Sequence, residues 1–232
     1  MSDLNRPSVT SADSAAAAPL LQVPSLNFFG LFLWEATWVT CLWFVVYGGA
    51  DWITSLHSYR ISFHAQIDSA IPFIPAAAIF YLSLFPMTWL APFILHTPQQ
   101  LRAFARGLAM AILIAGIGFL FLPAEPPEVH SVDTGLSGRL FHFADSINLK
   151  YNLFPSLHVA MAVVCAANFS YSNSPRIKIF FWLWAGAIAL STMLTHQHYL
   201  NDVIAGVLLG IVVSSGGCIA RNDRAAKRSR HQ

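Results

Sequence analysis

Charged side chains are scarce in this sequence of 232 residues. Lys, Arg, Asp and Glu together make up 10% of it, whereas apolar residues make up 56%. A soluble domain ordinarily carries about 25% charged residues. The shortage therefore excludes an ordinary soluble fold and predicts an all-α integral membrane protein. The net charge of +2 is small, and we expect no nucleic-acid partner.

The sequence also lacks the residue patterns of several other protein classes. Its three cysteines, Cys41, Cys165 and Cys218, lie within apolar segments, and an odd number of buried thiols predicts no disulfide framework. The chain has no internal repeat, and its Cys, His and acidic residues do not stand at the spacing of a standard metal site. We therefore expect neither a metal nor another cofactor. A basic region ahead of a short apolar core is missing, so no cleavable signal peptide is predicted.

Long apolar runs are what the sequence does contain. Runs of about 17–25 apolar residues are typical of membrane-spanning helices. Six such segments are predicted, at about residues 28–48, 71–95, 104–122, 157–172, 177–195 and 199–219. They predict a six-transmembrane-helix bundle over residues 26–220, between a disordered tail at 1–25 and a basic cytoplasmic tail at 221–232. A loop at 123–155 joins the third and fourth helices, and its part 140–147 is expected to form a short interfacial helix after a break at 135–138.

The positions of the basic residues predict the orientation in the membrane. With both termini in the cytoplasm, ten Lys and Arg residues fall in cytoplasmic segments and three in outer loops, as the positive-inside rule requires. The three outer residues are Arg60, Arg139 and Lys150. We therefore expect a multi-pass protein of a plasma or inner membrane, with loop 123–155 on the outer face. Within the first span, Glu35 is expected to form a structural hydrogen bond or to be neutral, because a charge at that depth is costly.

The polar stretch at residues 155–158 stands at the outer start of the fourth span. Ser156 is of the residue type that caps helix N-termini, and the unpaired N–H groups of a first helical turn form a site for an anion such as phosphate. His158, in that turn, would be close enough to stabilise the anion or to give a proton to a leaving oxygen. Alternatively, His158 is only a polar residue exposed at the interface.

His198 stands at the outer start of the sixth span, four residues before Asp202. On a helix this spacing places both side chains on one face, where the carboxylate can accept a hydrogen bond from one ring nitrogen. The other ring nitrogen can then attack phosphorus and form a phosphohistidine. Gly206 and Gly210 continue the same face and allow close approach of a neighbouring helix. Alternatively, the pair is structural and locks the sixth span to the bundle.

Two motifs about forty residues apart carry a family resemblance. They are PSLHVA at 155–160 and ST-x5-HY-x2-DVIAG at 191–206. Together they resemble the type 2 phosphatidic acid phosphatase superfamily. The stretches D-x2-IPF-x-P at 68–75 and P-x2-PP at 123–127 resemble its branch that includes inositol phosphorylceramide synthases. The similarity extends from about residue 60 to residue 210.

The resemblance implies a six-helix membrane bundle with its site at the outer face and a mechanism that needs no metal. It implies that His198 is the nucleophile, Asp202 its orienting partner and His158 the acid for the leaving group. Ser156 would help to bind the phosphate. Thr192, which stands where the family commonly has an arginine, is assigned to the phosphate as well. The synthase-like branch also has threonine there, so this departure points to that branch more than to an inactive protein.

The basic residues with which this family commonly holds phosphate are absent from their usual places. Its third motif commonly begins Ser-Arg, whereas this chain has Ser191-Thr192, and the first motif, a Lys followed at a distance by Arg-Pro, is not recognisable. Loss of cations weakens the stabilisation of charge in the transition state. Replacements must come from the outer loops, where Lys150 is the first choice because it lies five residues before Pro155, and Arg139 is also assigned.

These features predict a membrane lipid phosphatase or phosphotransferase that acts on a lipid phosphate through a phosphohistidine. His198 must be neutral to attack and His158 protonated to donate, which predicts a bell-shaped pH–rate profile. The alternative is a protein of the same fold that binds or translocates lipid without catalysis, and a weaker one is a metal-dependent membrane hydrolase. The lipid, the acceptor in the second step and the oligomeric state are not predicted.

Overall fold

The computed structural model describes residues 21–127, 135–171 and 173–229, which form helices and no named β-strand. Its helices are α1 (Leu26–Ser55), α2 (Pro75–Trp89), α3 (Pro98–Phe121), α4 (Leu136–Ile147), α5 (Leu157–Ser170), α6 (Pro175–Leu194) and α7 (Leu200–Ser229). Residues 1–20 of the predicted tail and residues 128–134 of the predicted outer loop lie outside this description. The all-helical prediction is confirmed.

All of these helices except α4 coincide with the six predicted segments. By length and composition, α1, α3 and α6 are long and apolar enough to cross a membrane. Both α2 and α5 are shorter, as is the apolar part of α7, Leu200–Ser215, so the count of six spans stays a prediction. At its far end α7 runs to Ser229, past the predicted end at 219, because the Ala, Arg and Lys residues of the basic tail favour a helix.

The second predicted segment is not one regular helix. It consists of Pro75–Ala77, Ala78–Leu82, Leu84–Trp89 and Ala91–Ile94, with interruptions at Ser83 and Leu90. Two prolines, Pro86 and Pro92, explain the interruptions, because proline has no N–H to donate and its ring collides with the carbonyl four residues earlier. The sequence contains both prolines, so this break was predictable.

The helix that carries His158 lies at the centre of the bundle. Helix α5 contacts α3, α6 and α7, and eleven of its 14 residues are buried. Its many alanine and valine residues suit this burial, because small side chains let the neighbouring helices approach closely. The position of α5 holds the start of this helix, and therefore Ser156 and His158, in a fixed place.

Loop 123–155 contains the predicted short helix, α4. It begins at Leu136 rather than near 140, so the predicted break at 135–138 is wrong beyond Gly135, which precedes the helix. The buried face of α4 consists of Gly138, Phe141 and Ala144, spaced three residues apart, and it packs beside α2. Burial of this face explains why the glycine is accommodated inside the helix.

Helix α1 contains a π-helical turn at Phe44–Gly48, between regular helix on both sides. Turns of this kind often occur at functional sites. Nearer its N-terminus, Glu35 accepts a 2.6 Å hydrogen bond from Trp38 Nε1 and lies 3.8 Å from Nε of Arg102 on α3. The structural hydrogen bond expected for Glu35 is therefore confirmed.

Candidate functional site

His198 lies in a tight turn between α6 and α7. The carbonyl oxygen of Thr192 accepts hydrogen bonds from the backbone N–H groups of Gln197 (2.9 Å) and His198 (3.1 Å). His196, which lies between the end of α6 and these two residues, has a positive φ of 51°. This backbone conformation lets the chain reverse its direction. Helix α7 begins at Leu200, so it contains Asp202 but not His198. The expectation that the two residues share a helical face is therefore wrong.

The two side chains nevertheless meet across the start of α7. His198 Nδ1 lies 3.6 Å from Asp202 Oδ2, and the two residues are 5% and 0% exposed. This distance fits an ion pair but is too long for a hydrogen bond. Asp202 Oδ2 instead accepts a 2.9 Å bond from the backbone N–H of Tyr199. Within the described chain, His198 Nδ1 and Asp202 Oδ1 have no hydrogen-bond partner, so a small shift of the imidazole would complete the predicted pair.

A second carboxylate stabilises the same helix start. Asp68 Oδ1 accepts a 2.9 Å hydrogen bond from the backbone N–H of Leu200, and its Oδ2 accepts one of 2.7 Å from Ala65. Carboxylates at a helix N-terminus satisfy the unpaired N–H groups and complement the positive end of the helix dipole. The Asp68 carboxylate therefore connects the loop before α2 with the start of α7, next to the turn that contains His198.

His158 projects from the first turn of α5, which Ser156 caps as predicted: Ser156 Oγ accepts a bond from Val159 N. His158 Nε2 lies 2.8 Å from the carbonyl oxygen of Tyr81 on α2, and its ring stacks on that tyrosine with centroids 3.9 Å apart. A carbonyl oxygen only accepts, so Nε2 carries a hydrogen and donates it. Proton transfer to or from a substrate by His158 must therefore use Nδ1.

The predicted small-residue stripe on α7 is confirmed. A Cβ on Gly206 would lie 2.5 Å from the carbonyl oxygen of Ser156, and a Cβ on Gly210 would lie 2.6 Å from Cβ of Val163. Both distances are far below normal contact, so only glycine permits this approach of α7 to α5. The close packing holds the two histidine motifs side by side.

Two cavities meet at His198. The first, which we call the polar cavity, has a volume of about 340 Å³ and is lined by His64, Asp68, Ser69, His196, His198 and Tyr199, among others. The second, the apolar cavity, has a volume of about 400 Å³ and includes both His158 and His198. Its walls are mostly aromatic and aliphatic side chains, among them Trp43, Phe44, Tyr81, Phe85, Trp89 and Met161. His198 is therefore accessible both from a polar and from an apolar side.

The residues predicted to hold phosphate lie at different distances from this junction. Ser156 is fully buried at the start of α5. The hydroxyl of Thr192 is fully buried too and donates to the carbonyl of Ala189 in its own helix. Lys150 lines a third cavity of about 410 Å³, the loop cavity, together with Gln197. Arg139 is exposed on α4 and lines none of the three cavities.

Arg60, the remaining basic residue of the loops that are predicted to be outer, forms structural contacts. The guanidinium of Arg60 donates a 3.0 Å hydrogen bond to the carbonyl of Thr54 and lies 4.3 Å above the ring of Tyr151. Among the described residues that line the polar and apolar cavities, none is Lys or Arg. The part of the site next to His198 thus has histidines and backbone N–H groups but no permanent cation.

A hydrogen-bond network that the sequence analysis missed connects the loop before α5 with α1 and the His198 turn. Tyr47 donates from its hydroxyl to Asn148 Oδ1 at 2.8 Å, and Asn148 Nδ2 donates to Gln197 Oε1. Gln197 Nε2 donates in turn to Asp145 at 3.1 Å. Asn152 Nδ2 donates to the carbonyl of Tyr47 at 2.6 Å. The one available signal was the presence of two asparagines on either side of Lys150, ahead of the PSLH motif.

The histidines of the site are not arranged as a metal centre. In the described parts of the chain, no three His, Cys, Asp or Glu side chains are grouped so that they could hold one metal ion. His196, which the sequence places beside His198, instead has Nε2 3.1 Å from the carbonyl oxygen of Ile71, and it lines both the polar and the loop cavity. The metal-free mechanism itself stays a prediction.

Comparison with known proteins places this geometry in context. An uncharacterized protein of Methanocaldococcus jannaschii is 32% identical over 106 residues, which are 46% of this chain and 43% of that protein. The chain thus matches less than half the length of this relative. The crystal structure of LpxE from Aquifex aeolicus superposes with a TM-score of 0.47 at 19% identity, over 74% of this chain and 93% of the other. The sequence profile of the PAP2 superfamily matches residues 49–215, which include both histidine motifs, and the chain therefore belongs to the PAP2 superfamily.

Proposed function

We propose that this protein is a membrane lipid phosphatase or phosphotransferase that cleaves a phosphoester or phosphodiester of a lipid at His198. The observation that carries this proposal is the position of His198 between the polar and the apolar cavity. A lipid phosphate has a matching division, with a polar phosphate at one end and hydrocarbon at the other. Membership of the PAP2 superfamily supports a phosphatase-type reaction.

In the first chemical step, the Nε2 lone pair of His198 attacks phosphorus and the bond to the lipid oxygen breaks. Asp202, 3.6 Å from Nδ1, stabilises the positive charge that develops on the imidazole. His158 delivers a proton from Nδ1 to the departing oxygen, so the lipid alcohol leaves neutral. The product is a phosphohistidine at His198 and a neutral His158.

In the second step, water or an alcohol attacks the phosphorus of the phosphohistidine from the side that the lipid alcohol has left. His158 Nδ1 takes the proton of the attacking oxygen, and the electron pair of the N–P bond returns to His198. Water as acceptor makes the protein a phosphatase, and an alcohol makes it a phosphotransferase. Both histidines end in their starting protonation states, so the cycle is balanced.

The phosphate itself is proposed to bind at the start of α5. Ser156 and the N–H groups of Leu157 and His158 are the proposed neutral donors there. Thr192 at the end of α6 is also proposed, and its hydroxyl would have to leave the Ala189 carbonyl to reach the phosphate. Lys150 and Arg139 are the proposed cations, of which Lys150 is favoured because it lines the loop cavity beside Gln197, the neighbour of His198. Stabilisation of the transition state would then depend on donors fixed by the fold more than on paired arginines.

We place this site at the outer face of a membrane that the chain crosses six times, with both termini in the cytoplasm. Three helices that are long and apolar enough to span support the membrane location, and the excess of basic residues in the other loops supports the orientation. The nearest branch is proposed to be that of the inositol phosphorylceramide synthases. Its support is that Asp68 and Pro127, from the two stretches that resemble this branch, line the polar cavity with His198.

The experiment that tests the function is a product analysis with purified protein. Phosphatidic acid, an isoprenyl diphosphate, and phosphatidylinositol with ceramide are offered separately, and the products are identified by mass spectrometry. We expect one of these lipids to lose its phosphate or headgroup and His198→Ala to reduce that turnover at least about a thousandfold. Normal turnover by a folded His198→Ala variant would overturn the mechanism.

A second function, lipid binding or translocation without catalysis, is favoured by one observation. The described linings of the two cavities at His198 contain no Lys or Arg to neutralise a phosphate. In that case the protein binds or moves lipid in vesicles, releases no product from any lipid, and transports equally well after His198→Ala. The product analysis above therefore separates the two functions.

A further inference from the structure

One buried amide in the apolar cavity has an unused hydrogen-bond acceptor. Asn152 is 2% exposed and lines this cavity together with His158 and His198. Its Nδ2 donates a 2.6 Å hydrogen bond to the backbone carbonyl of Tyr47, in the π-helical turn of α1. Because that carbonyl can only accept, the amide cannot be rotated to place its oxygen there. The atom that remains is Oδ1, which has no partner among the described residues.

The chemistry of the missing partner follows from this geometry. An amide oxygen accepts only, so its partner must be a donor, and a buried acceptor without a donor is unfavourable. Two polar neighbours in the same cavity are engaged elsewhere: the Tyr47 hydroxyl donates to Asn148, and Asn148 donates to Gln197. Neither of them supplies a donor to Asn152, which leaves this acceptor for a ligand that brings its own donor.

We propose that Asn152 Oδ1 binds a hydroxyl group of a lipid in the apolar cavity, and that this contact selects hydroxyl-bearing lipids. Hydroxyl is the donor that fits, because most of the cavity wall is apolar and the described residues that line it include no carboxylate to pair with an ammonium or guanidinium group. Since Asn152 shares the cavity with both histidines, the hydroxyl lies near the phosphate end of the lipid. The selection of substrate by Asn152 rests on the proposed lipid phosphate chemistry at His198.

Such a hydroxyl has two possible sources, which the first experiment distinguishes. In the donor arm, hydrolysis of 1-acylglycerol 3-phosphate is compared with that of its counterpart without the 2-hydroxyl. In the acceptor arm, the donor is phosphatidic acid, which has no free hydroxyl on its glycerol, and diacylglycerol with isotopically labelled acyl chains is offered as the accepting alcohol. Transfer then forms labelled phosphatidic acid, which differs in mass from the unlabelled donor. We expect a preference of about tenfold or more in kcat/KM for the hydroxyl-bearing lipid in the first arm, or formation of a transfer product in the second.

The variant that tests the residue is Asn152→Leu, which has a similar size but no acceptor. In this variant we expect the kcat/KM ratio between the hydroxyl-bearing lipid and its counterpart to fall to about one, or transfer to the alcohol to be lost while hydrolysis is retained. Both readouts are ratios measured on the same folded molecules, so a lower yield of folded protein does not affect them. Asn148→Leu is the matched control: it lies in the same cavity with both amide atoms already engaged, and we expect lower activity with an unchanged ratio.

The wild-type protein alone can overturn the proposal. Equal rates on the matched donor lipids, combined with no transfer to diacylglycerol, would mean that water satisfies Asn152. An Asn152→Leu variant that keeps the wild-type preference would overturn it as well. Calorimetry tests the hydroxyl contact without any reaction, so it separates a failure of this proposal from a failure of the lipid phosphate chemistry. In it, wild-type protein is titrated with monoacylglycerol and with its 2-O-methyl ether. Tighter binding of the free hydroxyl without turnover of any lipid phosphate would retain the role of Asn152 and reject the proposed reaction.

Discussion

The backbone N–H of Ser156 donates a 3.0 Å hydrogen bond to the backbone carbonyl of Asp202. This bond joins the second residue of one histidine motif to the helix that carries the carboxylate of the other. It forms because Gly206, one turn further along α7, has no side chain to keep the helix away from α5. The relative position of His158 and His198 therefore depends on the packing of these two helix starts.

Gly206→Ala tests this dependence. The new methyl group would lie 2.5 Å from the carbonyl oxygen of Ser156, and a backbone atom cannot move aside as a flexible side chain would. We expect a loss of about 1–3 kcal/mol in the free energy of unfolding and a larger proportional loss of activity. The measurements are thermal unfolding in detergent and lipid phosphate turnover on the same preparation.

Gly186→Ala is the matched control for this prediction. Gly186 lies within α6, and a Cβ there would meet no atom within 4 Å. Alanine favours helix over glycine by about 1 kcal/mol, so this variant should be as stable as wild type or slightly more stable. Equal behaviour of the two alanine variants would show that the approach of α7 to α5 does not control the site.

The sequence was sufficient for the features that depend on neighbouring residues. The cap at Ser156 and the stripe of Gly206 and Gly210 follow from residue type and helical spacing, and both are present. The position of His198 ahead of α7 was not predicted, because the same four-residue spacing fits a helix and a turn that leads into one. That turn is held by the carbonyl of Thr192, and backbone acceptors have no sequence signature.

Contacts between distant residues were beyond a single sequence. Tyr81 holds His158 from 77 positions away, and Asn152 reaches the Tyr47 carbonyl across 105 positions. Nothing in the local pattern of an apolar segment distinguishes Tyr81 from the other aromatic residues in it. The π-helical turn, which provides the carbonyl for Asn152, likewise has no recognisable local signal. These two contacts fix which ring nitrogen and which amide atom remain available to a ligand.

Asp202→Asn separates the charge of the carboxylate from its structural role. Asp202 Oδ2 accepts the N–H of Tyr199, and the amide oxygen of asparagine can accept it too, so we expect nearly unchanged thermal stability. The negative charge that we propose stabilises the His198 imidazolium is lost, and kcat should fall by about a hundredfold to ten-thousandfold. Asp202→Ala should lose the same activity and also about 1 kcal/mol of stability. Near-normal turnover by Asp202→Asn would identify the pair as structural.

The rate of the reaction should depend on pH with a bell-shaped profile. In the proposed mechanism the rate falls at acid pH because His198 must be neutral to attack, and it falls at alkaline pH because His158 must be protonated to donate. In His158→Gln the amide can still donate to the Tyr81 carbonyl, so the helix contact is preserved while the acid is removed. We expect loss of the alkaline limb and a fall in kcat of about a hundredfold to ten-thousandfold with lipid substrates.

A substrate with an acidic leaving alcohol provides the check on His158. An aryl phosphate needs no proton at the departing oxygen, so in His158→Gln the initial burst of aryl alcohol, which reports the first step alone, should be released at close to the wild-type rate. Equal impairment with aryl and lipid phosphates would assign His158 to phosphate binding or to packing on Tyr81 instead of proton transfer.

Lys150 and Arg139 provide the comparison that decides what replaces the missing cations. Lys150 lines the loop cavity beside Gln197, whereas Arg139 lies exposed on α4 and lines none of the three cavities. If Lys150 neutralises the phosphate, Lys150→Ala should reduce kcat/KM about tenfold or more, and Lys150→Arg should restore most of it because the charge is kept. Arg139→Ala should stay within about twofold of wild type, since an exposed charge is screened by solvent. Small and equal effects of both alanine variants would mean that neither residue neutralises the phosphate. The neutral donors at Ser156 and the first turn of α5 would then hold it, and turnover should depend little on ionic strength.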